Sequence, residues 1–367
     1  MSRTGNSLLA DALPTARAVA RSVVFLFKVM PMLPSGWVDR LTRPTERVSV
    51  SFARPFGSGV GDLYRPSRPG PHPGIVVCLG VVPFGFDHPQ IPRLGEALAR
   101  SGFAALLYRS PAMERCELVP EDVGNVAAAY DYLIEQPFVR AEASGLLGTC
   151  VGGSFALMAA AQPAIRDRVA FIGAFAPYAS IEQLALGVVT GTRQDGQALV
   201  PWAVDPLTRK VFVHSLTAPL PAHEADALRR LYDESTDHAR PEGLSHAAEA
   251  VNALLAAPDA ARAQRALDHL PPALRARMDA ISPLRSLPDL RVPLIMIGHD
   301  RDDLVVPVSE SRRLRGALAA NPGLRYTEFG MFQHADPTKR NLGPLALGRE
   351  LVKFYRYVVP LFRASEG

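Results

Sequence analysis

Cysteine is scarce in this chain. Only Cys78, Cys116 and Cys150 occur in 367 residues, widely spaced and without a CxxC pair. That excludes a disulfide framework and suits a reducing compartment, so a cytoplasmic location is expected. The nine histidines show no HExxH or similar spacing, and neither a metal nor a resident cofactor is expected. No run of five or six basic residues appears. The formal net charge of +4 comes from scattered arginines, which argues for a solvated surface and against nucleic acid as a partner. Long apolar runs are missing too: Val23 to Met32 is broken by Lys28 and Pro31, well short of the roughly 20 residues a spanning helix needs. A cleaved secretory leader is not the reading either, because Asp11 and several arginines precede the run and no small-x-small site follows it.

What the N-terminus does contain is an amphipathic stretch. Arg17, Arg21 and Lys28 flank apolar residues from Val19 to Leu33, so residues 16–34 fit an interfacial helix making peripheral contact with a membrane. They fit equally a helix packed on its own domain or on a second copy in a homodimer, and packing is the preferred reading.

From Glu46 onward strands and helices alternate. RVSVSF and GVGDLYRP predict a hairpin with Gly57 to Gly61 as its turn. Gly74 to Gly80 is a continuous apolar run, as expected for a strand covered on both faces. A helix near Ile91 to Ser101, a strand at Ala104 to Tyr108, a helix near Glu121 to Gln136, and strands at Ala143 to Gly148 and Val169 to Phe175 follow. Between about Ser180 and Pro288 the strands stop, and amphipathic stretches such as Ala222 to Tyr232 and Ala247 to Ala256 predict a helical insertion. The sheet resumes with Val292 to Gly298, a helix near Ser309 to Ala320, a strand at Arg325 to Phe329 and a last helix near Leu345 to Tyr357. The expected fold class is α/β: a mainly parallel sheet with helices on both faces, its functional groups at the carboxyl ends of the strands. The expected organisation is an N-terminal helical extension over 1–45, a core over 46–180 and 289–367, and a helical cap over 181–288.

The chemistry gathers at GLLGTCVGGSFALMAAA, Gly145 to Ala161. A nucleophile on a tight strand-to-helix turn needs small residues two before and two after it, and Gly148 and Gly152 meet that demand around Cys150. The following helix N-terminus places partial positive charge beside the sulfur. A packed, inert cysteine is the competing account, and partners in chain order weigh against it. Asp303 follows an apolar strand in GHDRDDLVVP and can aim a carboxylate across the strand ends, with Asp302 beside it as the alternative acid. His334, after the strand RYTEFG, is the candidate base. An oxyanion hole requires the N–H of the residue after the nucleophile, Val151, and one from the loop Gly80 to Gly85, where Val81 is the first choice and Val82 the next. In the cap, Trp202, Phe212, Leu228, Leu231 and Leu255 are candidates for pocket lining or for the cap's own core. Arg109 at a strand end is read as a binder of an acidic substrate group or as a salt-bridge partner of Glu114, Glu117 or Asp122.

These residues resemble the α/β-hydrolase superfamily from about Glu46 to the C-terminus, with the insertion as a lid. Gly-Thr-Cys-Val-Gly-Gly is similar to the cysteine-containing elbow of the dienelactone hydrolase group. The resemblance implies Cys150 as nucleophile, Asp303 as acid and His334 as base, and carries over that chemistry without the group's substrate. The reading of the residues is a capped hydrolase of a small-molecule acyl substrate, an ester, lactone or thioester cleaved through an acyl-cysteine. Two departures stand out. That group is usually lidless, and it keeps a glutamate near the oxyanion loop where Gly80 to Gly85 has none. Polyhydroxyalkanoate synthases, which are acyltransferases, also resemble the chain in elbow, cap and triad order. They carry Gly-His-Ile-Gly around the base, where this chain has Phe-Gln-His334-Ala-Asp. A non-catalytic scaffold with this fold is the third reading.

Overall fold

The computed structural model describes residues 4–55, 57–233, 241–334, 338 and 342–366, with side chains from residue 15 onward. Helices α1 (Thr4–Val29) and α2 (Gly36–Leu41) precede strands β1 (Thr45–Arg54), β2 (Gly57–Pro66) and β3 (His72–Cys78). Then follow α3 (Gln90–Arg100), β4 (Ala104–Arg109), α4 (Pro111–Glu114), α5 (Glu121–Ile134), β5 (Val139–Thr149), α6 (Val151–Ala160) and β6 (Phe171–Phe175). The inserted segment carries α7 (Ile181–Thr190), β7 (Thr192–Asp195), β8 (Ala198–Pro201), α8 (Pro206–Thr217), α9 (Ala222–Asp233), α10 (His246–Leu255), α11 (Ala260–Asp268), α12 (Pro272–Ala280) and α13 (Pro283–Ser286). The chain ends with β9 (Leu294–Asp300), α14 (Val308–Ala317), β10 (Leu324–Phe329) and α15 (Pro344–Ala364).

Eight strands form one sheet in the order β1-β2-β4-β3-β5-β6-β9-β10. β1, β2 and β4 pair antiparallel, and every pair from β4 to β10 is parallel. All residues of β3 and β6 are buried, as strands sandwiched between helical layers must be. Alternate side chains feed two cores. Val76 and Leu146 face the layer of α5 and α6, with Tyr130 and Phe155. Ile75 and Val77 face α1, α3 and α15, with Phe25, Leu98 and Phe362.

The early hairpin differs from expectation. β1 runs to Arg54 and β2 begins at Gly57, so Gly57 to Gly61 lie within β2, paired with Arg54 to Val50. Gly59 and Gly61 admit close neighbours instead of turning the chain: a Cβ at Gly59 would stand 2.4 Å from the Phe52 ring, and one at Gly61 2.7 Å from the Leu107 carbonyl oxygen, whereas Gly57, at φ 91°, has open space around it. The insertion is not wholly helical either, since β7 and β8 form a hairpin. Its two-residue loop places Gly196 at φ 60°, a conformation that suits glycine.

The N-terminal helix lies on its own domain. Ala18, Ser22, Phe25 and Leu26 are its buried stripe, continued by Met30 just past its end, and Phe25 packs against Phe354 and Phe362 of α15. Lys28, itself buried, pairs with Asp39 at 2.6 Å and Glu96 at 3.2 Å. Arg21 pairs with Glu366 and donates to the Ser101 carbonyl at 2.6 Å. No helix among the described residues is long and apolar enough to cross a membrane.

Candidate active site

Cys150 sits between β5 and α6 with φ 55° and ψ −137°, in a region that L-residues rarely adopt. The backbone is held there from both sides: Cys150 N–H donates to the Phe175 carbonyl at 2.8 Å, and Gly153 N–H donates to the Cys150 carbonyl at 2.9 Å. Close approach explains the flanking glycines. A Cβ at Gly148 would stand 2.3 Å from the Gly152 carbonyl oxygen, and one at Gly152 only 2.2 Å from that of Cys78. α6, buried along its whole length, presents its N-terminus next to the sulfur.

Asp303, fully buried three residues beyond β9, is held on both carboxylate oxygens. Oδ1 accepts from Val305 N–H at 2.8 Å and Val306 N–H at 3.0 Å, and Oδ2 accepts from His334 Nδ1 at 2.8 Å. The side chain of Asp302 is exposed and its backbone N–H turns to Asp300. Of the two candidates, Asp303 is the one brought to the histidine. Asp300 also orders the His334 loop, its Oδ2 accepting from Phe332 N–H at 2.8 Å. His334 adopts φ 61°.

His334 Nδ1 hydrogen-bonds the Asp303 carboxylate, and His334 and Cys150 line the same cavity, so the three candidate residues converge. Burial alone would lower the imidazole pKa. The Cys150 sulfur and the Asp303 carboxylate outweigh it and hold His334 well above its usual value. For Asp303, burial opposes ionisation, but His334 and His299 prevail and keep the carboxyl well below the ordinary carboxylate range. Full burial pushes the Cys78 thiol up to about 12.

Sequence reasoning missed His299. It is fully buried at the end of β9, with Nε2 2.9 Å from the Val306 carbonyl and 3.3 Å from Asp303 Oδ2, and Nδ1 2.5 Å from Ser311 Oγ. A carbonyl only accepts, so Nε2 carries the proton and Nδ1 accepts from the serine hydroxyl. A second imidazole thus braces the carboxylate that His334 uses. The dipeptide His299-Asp300 at a strand end was the available signal, but a histidine within a carboxylate cluster draws less notice than the carboxylates.

Cys150, His334, Val81, Val82 and Val151 line a cavity of about 700 Å³. Its far side is supplied by the insertion through Ile181 and Leu184 of α7 and Leu207, Val211 and Phe212 of α8. Of the five apolar cap residues singled out from the sequence, only Phe212 lines this cavity. Leu228 is buried within the insertion, Trp202 is buried with its indole N–H donating to the Leu304 carbonyl at 3.0 Å, and Leu231 and Leu255 are half-buried away from the cavity. Arg109 takes the structural role: its guanidinium lies 4.8 Å from the centre of the Phe86 ring, and Nε is 3.3 Å from Glu114 Oε1. Among the described residues no group of three or more potential metal-ligating side chains converges.

The sheet order, the strand-to-helix elbow and the flanking helical layers are those of the α/β-hydrolase fold, and solved structures agree. An acylaminoacyl peptidase of Pyrococcus horikoshii superposes with a TM-score of 0.52 at 12% identity, over 89% of this chain and 42% of that one. A puromycin-hydrolysing peptidase of Mycobacterium tuberculosis gives 0.53 at 14% identity, over 92% and 41%. In sequence, a probable 2-oxo-3-(5-oxofuran-2-ylidene)propanoate lactonase of a Bradyrhizobium species is 35% identical over 152 residues, 37% of this chain and 55% of that protein. The chain thus spans about half the length of that curated relative. No family model matches the chain.

Proposed function

We propose that the protein is a hydrolase that cleaves an ester, lactone or thioester through Cys150, His334 and Asp303. The observation that carries this reading is the imidazole of His334, bonded to a fully buried carboxylate and lining one cavity with a thiol held at φ 55°. The named lactonase relative supports a carboxylic ester or lactone bond as the target.

In the proposed cycle the thiol proton passes to His334 Nε2, and the thiolate attacks the acyl carbonyl. The oxyanion is received by the N–H groups of Val151 and Val81. Val151 is the first residue of α6, so its N–H has no carbonyl four residues back within the helix. Collapse breaks the bond to the leaving oxygen or sulfur, which takes the proton from His334. Water then gives a proton to His334 and its oxygen to the acyl-cysteine, the carbon–sulfur bond breaks, and the thiol is restored with release of the acid.

The test is intact-protein mass after brief exposure to activated esters, lactones and acyl thioesters, with Cys150→Ala and His334→Ala alongside. An adduct on the wild type that is absent from Cys150→Ala and decays in water is the expected result. An adduct released only by an added alcohol or thiol would make the protein an acyltransferase. Turnover undiminished in Cys150→Ala would refute the mechanism.

A further inference from the structure

A second cavity, of about 240 Å³, lies on the other side of the elbow between the sheet and the layer of α1, α3 and α15. Phe25 and Val29 of α1, Leu98 of α3, Leu147 of β5, Met296 of β9 and Phe362 of α15 enclose it. Leu79, Gln90, Ile91 and Thr149 line both this cavity and the one that holds Cys150. Thr149 immediately precedes the candidate nucleophile. The two spaces are therefore bordered in common by the residue next to the sulfur.

Resting on the acyl-cysteine reading above, we propose that this second cavity receives the unbranched alkyl chain of the acyl group, making the substrate a medium- to long-chain acyl ester or thioester. Close-packed interiors leave few voids larger than a water molecule, so an apolar space of this size beside the elbow is a feature of the site. Three of the four polar residues on its wall are already engaged within the protein, and the fourth, Gln90, is an exposed residue that also lines the Cys150 cavity. Thr149 Oγ1 donates to the Leu79 carbonyl at 2.9 Å, Arg93 donates to the carbonyls of Lys28 at 2.7 Å and Met30 at 3.1 Å, and Tyr357 Oη lies 3.5 Å from the Met296 carbonyl. The remaining lining is aliphatic and aromatic and suits methylenes. Direction agrees as well. An acyl carbonyl at Cys150, with its oxygen toward the Val81 and Val151 N–H groups, can send its chain past Thr149 and Leu79 into this space. The N-terminal helix then has a role in the reaction, because Phe25 and Val29 form the wall that the sheet and α3 leave open.

The experiment measures kcat/KM of the full chain on a series of activated acyl esters from acetyl to dodecanoyl. The wild type should gain about fourfold per added methylene, the transfer value for a buried CH₂, until the cavity is filled. Leu147→Phe and Val29→Trp fill the cavity from two unrelated elements, so a folding defect in one leaves the other. In each, the decanoyl-to-acetyl ratio of kcat/KM should fall at least tenfold. A ratio unchanged in both folded variants would overturn the proposal. Binding of cis-parinaric acid to the Cys150→Ala protein, displaced by dodecanoate, reads the cavity without turnover. Binding weakened by Leu147→Phe in that background supports the alkyl site even if no ester is hydrolysed, and absent or unaffected binding refutes it.

Discussion

Asp303→Asn tests the electrostatics of the site most directly. In the wild type, one oxygen of the carboxylate accepts two backbone N–H groups, while the other faces His334 Nδ1 at 2.8 Å and His299 Nε2 at 3.3 Å. Asparagine keeps an oxygen for Val305 and Val306 but turns an NH₂ toward His334 Nδ1–H. Two donors then oppose each other, and the ring is driven to the tautomer with its proton on Nε2, facing the sulfur it should deprotonate. The same change in a serine triad costs on the order of 10⁴-fold in turnover, and a comparable loss is expected here.

The variant's pH profile separates this cause from simple damage. His334 is held above its usual pKa, so the stability it contributes is fully present below about pH 6.5 and is lost as pH rises through its folded value. Asp303 is held below its usual value, so its contribution is present above about pH 3.9 and is lost as pH falls through its folded value. The alkaline limb of wild-type kcat/KM, where the imidazolium that protonates the leaving atom is lost, should therefore lie well above pH 6.5. In Asp303→Asn it should move toward lower pH, because burial then acts on the imidazole without the carboxylate. Urea unfolding at pH 7 should show a loss of about 3–5 kcal/mol, the usual effect of breaking a buried pair. Residual kcat/KM within tenfold of wild type, with the alkaline limb unmoved, would refute the assignment. Asp302→Asn, at an exposed side chain, should stay within threefold.

Two further substitutions probe what holds the site in place. Gly152→Ala forces a Cβ to 2.2 Å from the Cys78 carbonyl, and chemical denaturation should show about 3 kcal/mol lost or failure to fold. A near-neutral effect would mean that the elbow is looser than its geometry implies. His299→Phe removes the donor to the Val306 carbonyl and the partner of Ser311, which should cost about 1–3 kcal/mol per stranded buried group and lower the alkaline limb of the pH profile. An unchanged pH profile in the folded variant would limit His299 to a structural role.

Much of this architecture is legible in the pattern of residues, and the misses have physical causes. The parallel strands are apolar runs bounded by turn residues, and Cys150, Asp303 and His334 each follow one, so chain order alone predicts that the sheet gathers them at one edge. The hairpin turn was misplaced because glycine has two uses that look alike in one dimension. At Gly59 and Gly61 it admits a ring and a carbonyl, whereas at Gly196 it turns the chain, and there the Asp195-Gly196 pair was the available signal for the β7–β8 hairpin. The cap's apolar residues were ambiguous for a similar reason. An amphipathic stripe shows which side is dry without telling a packed core from a cavity wall. α15 continues through Pro360 to Ala364, because its apolar stripe, with Val358, Leu361 and Phe362, packs against the sheet.

The candidate site is also where the chain departs most from its own local preferences. Cys150, Ala176 and His334 all adopt positive φ without being glycine, and each such residue costs on the order of 1–3 kcal/mol unless its surroundings fix it. Those surroundings are visible. Cys150 N–H reaches Phe175, Ala176 N–H reaches the Gly298 carbonyl at 2.7 Å, and Asp300 holds the His334 loop through Phe332. A fully buried carboxylate braced by two imidazoles adds a further cost of desolvation. Packing a small thiol into a core needs none of this. Strain and buried charge converging on one sulfur beside a large cavity are what distinguish Cys150 from Cys78, which lies two residues before Gly80 in an ordinary strand and whose thiol is simply buried.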